Sequence, residues 1–521
     1  MAEVIDRAIQ TFRTNRTAQA ILHGAAFFSV ALVFGTAAGL ISSRGNLPLT
    51  AIFAGLLVGL AVLSSRRALL WAVIYGGLVL SGVMQLYVPG SKYFRYLVPA
   101  AGSALLLHGI LDYVAKGRLS RGASMSGIVF WALAFMGIAV VSSIVNLNRA
   151  GVIIMGAKGY FQMWPFLFAM ILVAWRSEDL DSIAKTVLAI AIIQIPFAVH
   201  QYLFLMPQRL GLGSGVVAAD IVSGTFGGNL FGGAPNAVLA AFMMIVIACV
   251  IGVWKRGVLS SGTAVFLVLV FVSPMFVNQA KVSFLYMLAV FLTLFRQEFV
   301  HRPLRFLGAA VVVIGVLSAM TTSFMLTNQS EDFSSSTELL DYIIDRQTAD
   351  ADDRRGYSEL SRWTALTFWA EEHVSANPIN TLIGHGPGAS RVQDGGLDLA
   401  QTLAETRYAG LPLGYTALSA ILWDTGVLGL FAVLAMFYSA FRTAGRISAY
   451  YEKTEPRRAG IYDGFQAGVV ILVISLGHKD FFAFHLPYQT ILVLLLGYLV
   501  VAQTRVQRQI SSGSTSELRT L

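Results

Sequence analysis

One cysteine, Cys249, stands in 521 residues, and a single thiol excludes any intramolecular disulfide as a staple for the loops. Loop order must come from packing. Charge is scarce as well. Asp, Glu, Lys and Arg make up 12% of the chain against 56% hydrophobic residues, which leaves too little polar surface for several soluble domains. No internal repeat is visible, and related halves are what transporters of comparable size usually carry. The glycine-rich segment Gly384-His385-Gly386-Pro387-Gly388 has no strand before it and no Lys-Ser/Thr after it, so it does not read as a nucleotide loop.

What the chain does have is long apolar runs separated by short basic connections. In hydrocarbon every backbone polar group needs an internal partner, and such runs therefore mean helices rather than a barrel. The expected fold class is all-α, a polytopic transmembrane bundle of about fourteen helices. The runs that can span about 30 Å fall near residues 21–41, 47–64, 68–89, 96–115, 126–146, 158–175, 183–206, 234–254, 261–277, 282–296, 304–325, 413–441, 463–477 and 484–503. Gly410, Pro412, Gly414, Gly426 and Gly429 are places where the element over 406–441 can break. The first run follows Arg7, Arg13 and Arg16, is too long for a signal-peptide core and lacks a clear cleavage site, so it reads as a retained helix.

Placing the N-terminus inside puts most Lys and Arg on the cytoplasmic side. The short external loops then hold only Arg44, Lys92, Arg95, Arg149, Lys158, Arg209, Lys281 and Lys479. Both termini are expected in the cytoplasm. The chain then divides into residues 1–325 with the first eleven helices, a large external loop over 326–412, and residues 413–521 with the last three helices and a cytoplasmic tail. The loop carries fourteen of the 28 acidic residues against six arginines, a net charge of −8. The basic balance of the whole chain thus belongs to the inner face, where it suits anionic lipid rather than nucleic acid.

Within the loop, Ser335 and Glu338 have capping-box spacing before a short apolar run. A second amphipathic helix is expected after Tyr357. Leu360, Trp363, Leu366 or Thr367, Ala370 and Val374 form its apolar stripe and Asn377-Pro378 its stop, so that it lies on the membrane or caps the bundle. Trp363 and Trp369 are expected as interface anchors.

Several polar residues stand where chemistry is possible. Lys281, after Asn278 and Gln279 between two apolar runs, either snorkels to the interface or points into a cavity. Arg362, Arg391 and Arg407 lie in the acidic loop, where pairing with nearby carboxylates is the plain reading. Gly224-Thr225-Phe226-Gly227-Gly228-Asn229 leads to Pro235-Asn236 at a helix start; a cap explains Asn236, while Asn229 serves either a turn or a substrate. His200 with Gln201, and His478-Lys479-Asp480 with His485, lie near outer helix ends. Metal chemistry is not expected, because Ser42-Ser43-Arg44-Gly45-Asn46 offers no acidic ligand and Asp352-Asp353 is flanked by Arg354 and Arg355.

Four segments, in order, resemble the O-antigen ligase and O-antigen polymerase superfamily of bacterial envelope polysaccharide assembly. They are Gly224-Thr225-Phe226 with Asn236-Ala237-Val238-Leu239-Ala240; Lys281 opening a helix; Arg362-Trp363-Thr364-Ala365-Leu366 through Asn377-Pro378 to Gly384-Gly388; and Gly426-Val427-Leu428-Gly429-Leu430. The resemblance covers roughly residues 220–435. It implies a multi-pass protein of the bacterial inner membrane that transfers glycan from undecaprenyl diphosphate on the outer face, without metal, nucleotide or other cofactor. It also implies basic residues that hold the diphosphate.

On that analogy Lys281, Arg362 and His385 are the expected catalytic residues. Arg209, Asn229, Asn236, Arg391, Arg407, Tyr415, His478 and Lys479 are the expected substrate-binding ones. Ligases of the family carry His-Asn where this chain has Tyr415-Thr416, so the expected base is missing there; His385, Asp424 or Glu405 are substitutes. The departure favours a polymerase acting on a lipid-linked repeat-unit acceptor. The alternatives are a ligase that attaches finished polymer to another acceptor, or a flippase for lipid-linked oligosaccharide. Expected partners are the undecaprenyl-diphosphate-linked oligosaccharide, membrane lipid and a chain-length regulator.

Overall fold

A computed structural model describes residues 63, 65–88, 91–115, 126–173, 175–211, 218–230, 235–327, 360–374, 377–392 and 402–511. The chain forms two units, residues 1–72 and 73–521. Of the first, only the opening of helix α1 is described. The expected spans 21–41 and 47–64, the capping box at Ser335 and the Asp352-Asp353 pair lie outside the described residues.

Every regular element among the described residues is helical. In chain order these are α1 (Arg66–Tyr87), α2 (Leu97–Ala115), α3 (Gly127–Val145), α4 (Ala150–Phe161), α5 (Trp164–Leu172), α6 (Ser177–Leu210), α7 (Asn236–Lys255), α8 (Ser261–Asn278), α9 (Ser283–His301) and α10 (Pro303–Thr327). They continue with α11 (Thr364–His373), α12 (Pro378–Ile383), α13 (Ala417–Tyr451), α14 (Pro456–Leu476), α15 (Phe481–Phe484) and α16 (Leu486–Ser511). Among the described residues ten helices are long and apolar enough to cross a membrane. The protein is a multi-pass helical membrane protein.

Ten of the expected spans recur among the described residues, where the expected count of fourteen is not reached. The run over 304–325 (α10) is apolar over the shorter length Phe306–Thr322, and two other runs differ in their course. The run over 158–175 is split into α4 and α5 at Gln162-Met163, with Pro165 near the start of α5, where its missing N–H costs no helical bond. Helix α6 runs on to Leu210 through a π-turn at Gln201–Leu205.

Helix α7 is apolar all round and buried along most of its length, which places it at the bundle centre beside α14. The two approach to backbone contact because Gly460 and Gly464 present no Cβ to Gly252, Val253 and Cys249. Ion pairs gather at one end of the bundle: Lys255–Glu298, Arg256–Glu452, Arg256–Asp463 and Arg458–Asp181. The opposite end carries the segments with residues 146–149, 218–230, 278–282, 360–374, 377–392, 402–416 and 477–485.

The amphipathic helix of the large loop is α11; Leu360, Leu366 and Ala370 of the expected stripe pack on the core, but the stripe's other two residues do not. Ala365, Trp369 and His373 face inward, whereas Trp363 and Val374 are 60% and 63% exposed. The reason is Trp423 of α13. It receives His373 edge-on at 4.5 Å between ring centroids, inside a core that includes Trp369, Ala404 and Leu413. Helix α11 therefore caps α13, and Trp369 is a core residue rather than an interface anchor.

Candidate functional site

The Gly384–Gly388 turn is wedged against the kink of α13. Gly426 (φ 66°) and Gly384 (φ 68°) face each other, and a Cβ on either would overlap the backbone of the other's strand of chain. Asp424, fully buried one turn into the kink, fastens the segment. Its carboxylate accepts from Gly388 N (3.0 Å), Ser390 N (2.8 Å) and Tyr160 Oη (3.0 Å), and its carbonyl accepts from Gly386 N (2.8 Å). All of its strong acceptor directions are in use, which makes Asp424 an anchor. Glu405 is likewise occupied, accepting from Thr402 N at 2.9 Å.

The anchored turn hands Arg391 to the neighbouring loop, where its guanidinium lies 3.8 Å from the centre of the Phe484 ring. Arg362, half-buried just before α11, points the same way. Its Nε donates to the carbonyl of His478 at 2.8 Å and its guanidinium stands 6.0 Å from the ring centre of Tyr415. The Lys479 carbonyl accepts from Ala417 N at 3.1 Å, tying the 478–485 loop to the start of α13. Burial, with the charges of Arg362 and Lys479 added to it, pushes the His478 imidazole down to about 3. Burial and Lys479 push His485 down to about 3. Both are neutral rings pressed by cations. Arg362, Arg391, Tyr415, His478 and Lys479, five of the expected site residues, thus share one neighbourhood.

A second group surrounds the approach to Lys281. Arg209 Nη1 donates to the Asn229 carbonyl at 3.0 Å, and Asp220 lies close enough to act on Arg209 electrostatically. Asp220 accepts from Asn236 Nδ2 at 3.1 Å. Asn236 and Asn278 then exchange bonds, each amide donating to the other's carbonyl, at 3.2 and 3.0 Å. Asn278 Oδ1 holds Ala280 N at 3.0 Å in the turn that presents Lys281, with Gln279 at φ 52°. Asn236 is the first residue of α7 rather than its N-cap; its Oδ1 accepts from Ala237 N at 2.8 Å while its amide fixes the Lys281 turn. Arg362 lies within electrostatic range of Tyr286, on the helix that follows Lys281.

The Gly224-Thr225 segment is held by two buried glutamines. Gln194 bonds both the backbone N and Oγ1 of Thr225 (2.8 and 2.7 Å), and Gln201 bonds Ser223 N, Gly224 N and Gly224 O (2.9, 2.7 and 2.6 Å). These residues build the loop's shape.

His385 sits apart from the cations. Its Nε2 lies 2.9 Å from Nε2 of the buried His373, and its Nδ1 lies 3.0 Å from Asn380 Nδ2. Burial, with His373 and Arg407 added, pushes His385 down to about 4, and burial lowers His373. Arg407 is 64% exposed in its side chain and pairs with Glu372 at 3.2 Å, a surface pair outside the cationic group.

The sequence did not single out His373, Asp220, Asn278 as a partner of Asn236, or Gln194. Each acts through a contact distant in the chain. Only Gln201, beside His200, carried a signal. Among the described residues no group of three or more His, Cys, Asp and Glu side chains is arranged to hold a metal ion. No family model matches the chain, and no curated protein matches it.

Proposed function

We propose that this protein is a polysaccharide polymerase that transfers a glycan chain from undecaprenyl diphosphate to a lipid-linked repeat-unit acceptor at the outer face of a bacterial inner membrane. The observation that carries the reading is the meeting of Arg362 and Arg391, from a loop whose net charge is negative, with the 478–485 loop that carries Lys479. A departing diphosphate gains charge in the transition state, and fixed guanidinium and ammonium groups in a water-poor cleft stabilise it. Lys281, held by the Asn236–Asn278 exchange, adds a point charge from the second group. The apolar helix ends beside these cations suit a polyprenyl tail.

The experiment is binding of undecaprenyl diphosphate to the purified full chain. Arg362→Ala and Lys479→Ala should each weaken it at least tenfold, and Lys453→Ala, at the other end of the bundle, should not. Equal affinity for all of these proteins contradicts the reading.

A further inference from the structure

Beside the cationic group lies a cavity of about 140 Å³, lined by Ser390, Arg391, Pro412, Gly414, Asp480 and Phe484. At ~30 Å³ per water this is the room of about five waters, the scale of one sugar ring. We infer that this cavity is the subsite for the acceptor sugar, with the Asp480 carboxylate receiving the proton of the attacking hydroxyl. The inference rests on the polymerase reading above.

Two features of placement support it. First, the cavity and the cationic group share walls: Gly414 and Asp480 line the cavity, while their chain neighbours Tyr415 and Lys479 stand with Arg362. A molecule in the cavity is therefore adjacent to whatever the cations hold. Second, the lining is mixed in the way a sugar requires. Phe484 offers an aromatic surface, and Arg391 and Asp480 offer a donor and an acceptor. The carboxylate also sorts the two substrates. Asp480 repels a diphosphate, which is drawn to Arg362 and Lys479, and accepts a neutral hydroxylated ring.

In the transfer, the acceptor oxygen forms a bond to the donor's anomeric carbon. The bond from that carbon to the diphosphate oxygen breaks, its electron pair leaving with the diphosphate, and the acceptor proton passes to Asp480 and then to water. The anomeric configuration inverts. A general base within reach of the hydroxyl is worth a hundredfold to ten-thousandfold.

The test uses the full chain, with polymer in producing cells and undecaprenyl diphosphate binding to the purified protein as separate readouts. Asp480→Asn should lower polymer formation at least a hundredfold and leave diphosphate affinity within about threefold. Asp480→Glu should restore part of the polymer. If Asp480→Asn fails to bind the diphosphate, Val392→Trp decides, because it fills the cavity from the remaining lining position and leaves Asp480 in place. Polymer lost with diphosphate still bound supports the subsite. Normal polymer from Asp480→Asn or from Val392→Trp overturns it while leaving the polymerase reading intact. Failure of the wild-type chain to bind the diphosphate overturns both.

Discussion

Nε2 of His373 and Nε2 of His385 face each other at 2.9 Å, and their outer nitrogens fix which ring donates. His373 Nδ1 lies 2.9 Å from the Trp369 carbonyl, which only accepts, so that nitrogen carries hydrogen and Nε2 of His373 is the acceptor. His385 then donates from Nε2 and receives Asn380 Nδ2 at Nδ1. Both rings are neutral, and a proton added to either breaks a bond.

The pH dependence follows from that. The folded value of His385, about 4, lies below the ordinary 6.5, and His373 is lowered too. Depressed values mean that the unfolded loop takes protons first. Stability of α11 and the Gly384 turn is full above about pH 6.5, falls as the pH drops below it, and is exhausted below about 4. Protection factors of the α11 amides, taken against the intrinsic exchange rate at each pH, should fall from pH 7 to pH 5, and His373→Ala should flatten the response. An unchanged profile in that variant contradicts the assignment.

Asp424→Ala should unfasten the turn. It leaves Gly388 N, Ser390 N and Tyr160 Oη without their buried acceptor, a loss of roughly 3–5 kcal/mol when the three are treated as one network. The melting temperature in detergent should fall by many degrees. A shift of under one degree places the burden elsewhere.

Close approach of α7 and α14 makes a sharp steric prediction. Gly464→Leu puts a side chain into the backbone of Cys249, whereas a Cβ at Gly308 on α10, the site of the control Gly308→Leu, meets nothing within 4 Å. The first should abolish the folded monomer peak in size-exclusion chromatography, and the second should not. Similar behaviour of the two variants contradicts the packing.

The polymerase reading needs the loop end outside, which is what the basic pattern predicts. In a chain with Cys249 replaced, a cysteine at Val374 should react with an impermeant thiol reagent in intact cells. A cysteine at Glu452, beside Arg256 at the other end, should react only after the inner membrane is opened. The reverse pattern inverts the topology and removes the substrate from the site.

Most of the spans were legible because run length and polarity are properties of the residues themselves. Run 158–175 hid its break because Pro165 at a helix start and Pro196 inside α6 look alike in sequence. The stripe of α11 was legible at Leu360, Leu366 and Ala370 and not at Trp363 and Val374, for a tertiary reason: Trp369 and His373 are turned inward by Trp423, fifty residues later. Arg362, Arg391, His478 and Lys479 were legible as charges near apolar ends. That Arg407 pairs on the surface with Glu372, and that Asn236 braces the Lys281 turn, depends on contacts no spacing reports.

The central claim is that Arg362 acts on the diphosphate, and the direct measurement is polymer length from cells carrying Arg362→Ala, with protein abundance and melting temperature checked. Losing one charge-assisted contact to a developing phosphate charge should raise the barrier by roughly 3–4 kcal/mol, a rate loss on the order of a hundredfold to a thousandfold. The prediction is single repeat units in place of a ladder from a folded, abundant protein, with partial recovery in Arg362→Lys. A wild-type ladder from Arg362→Ala would contradict the account.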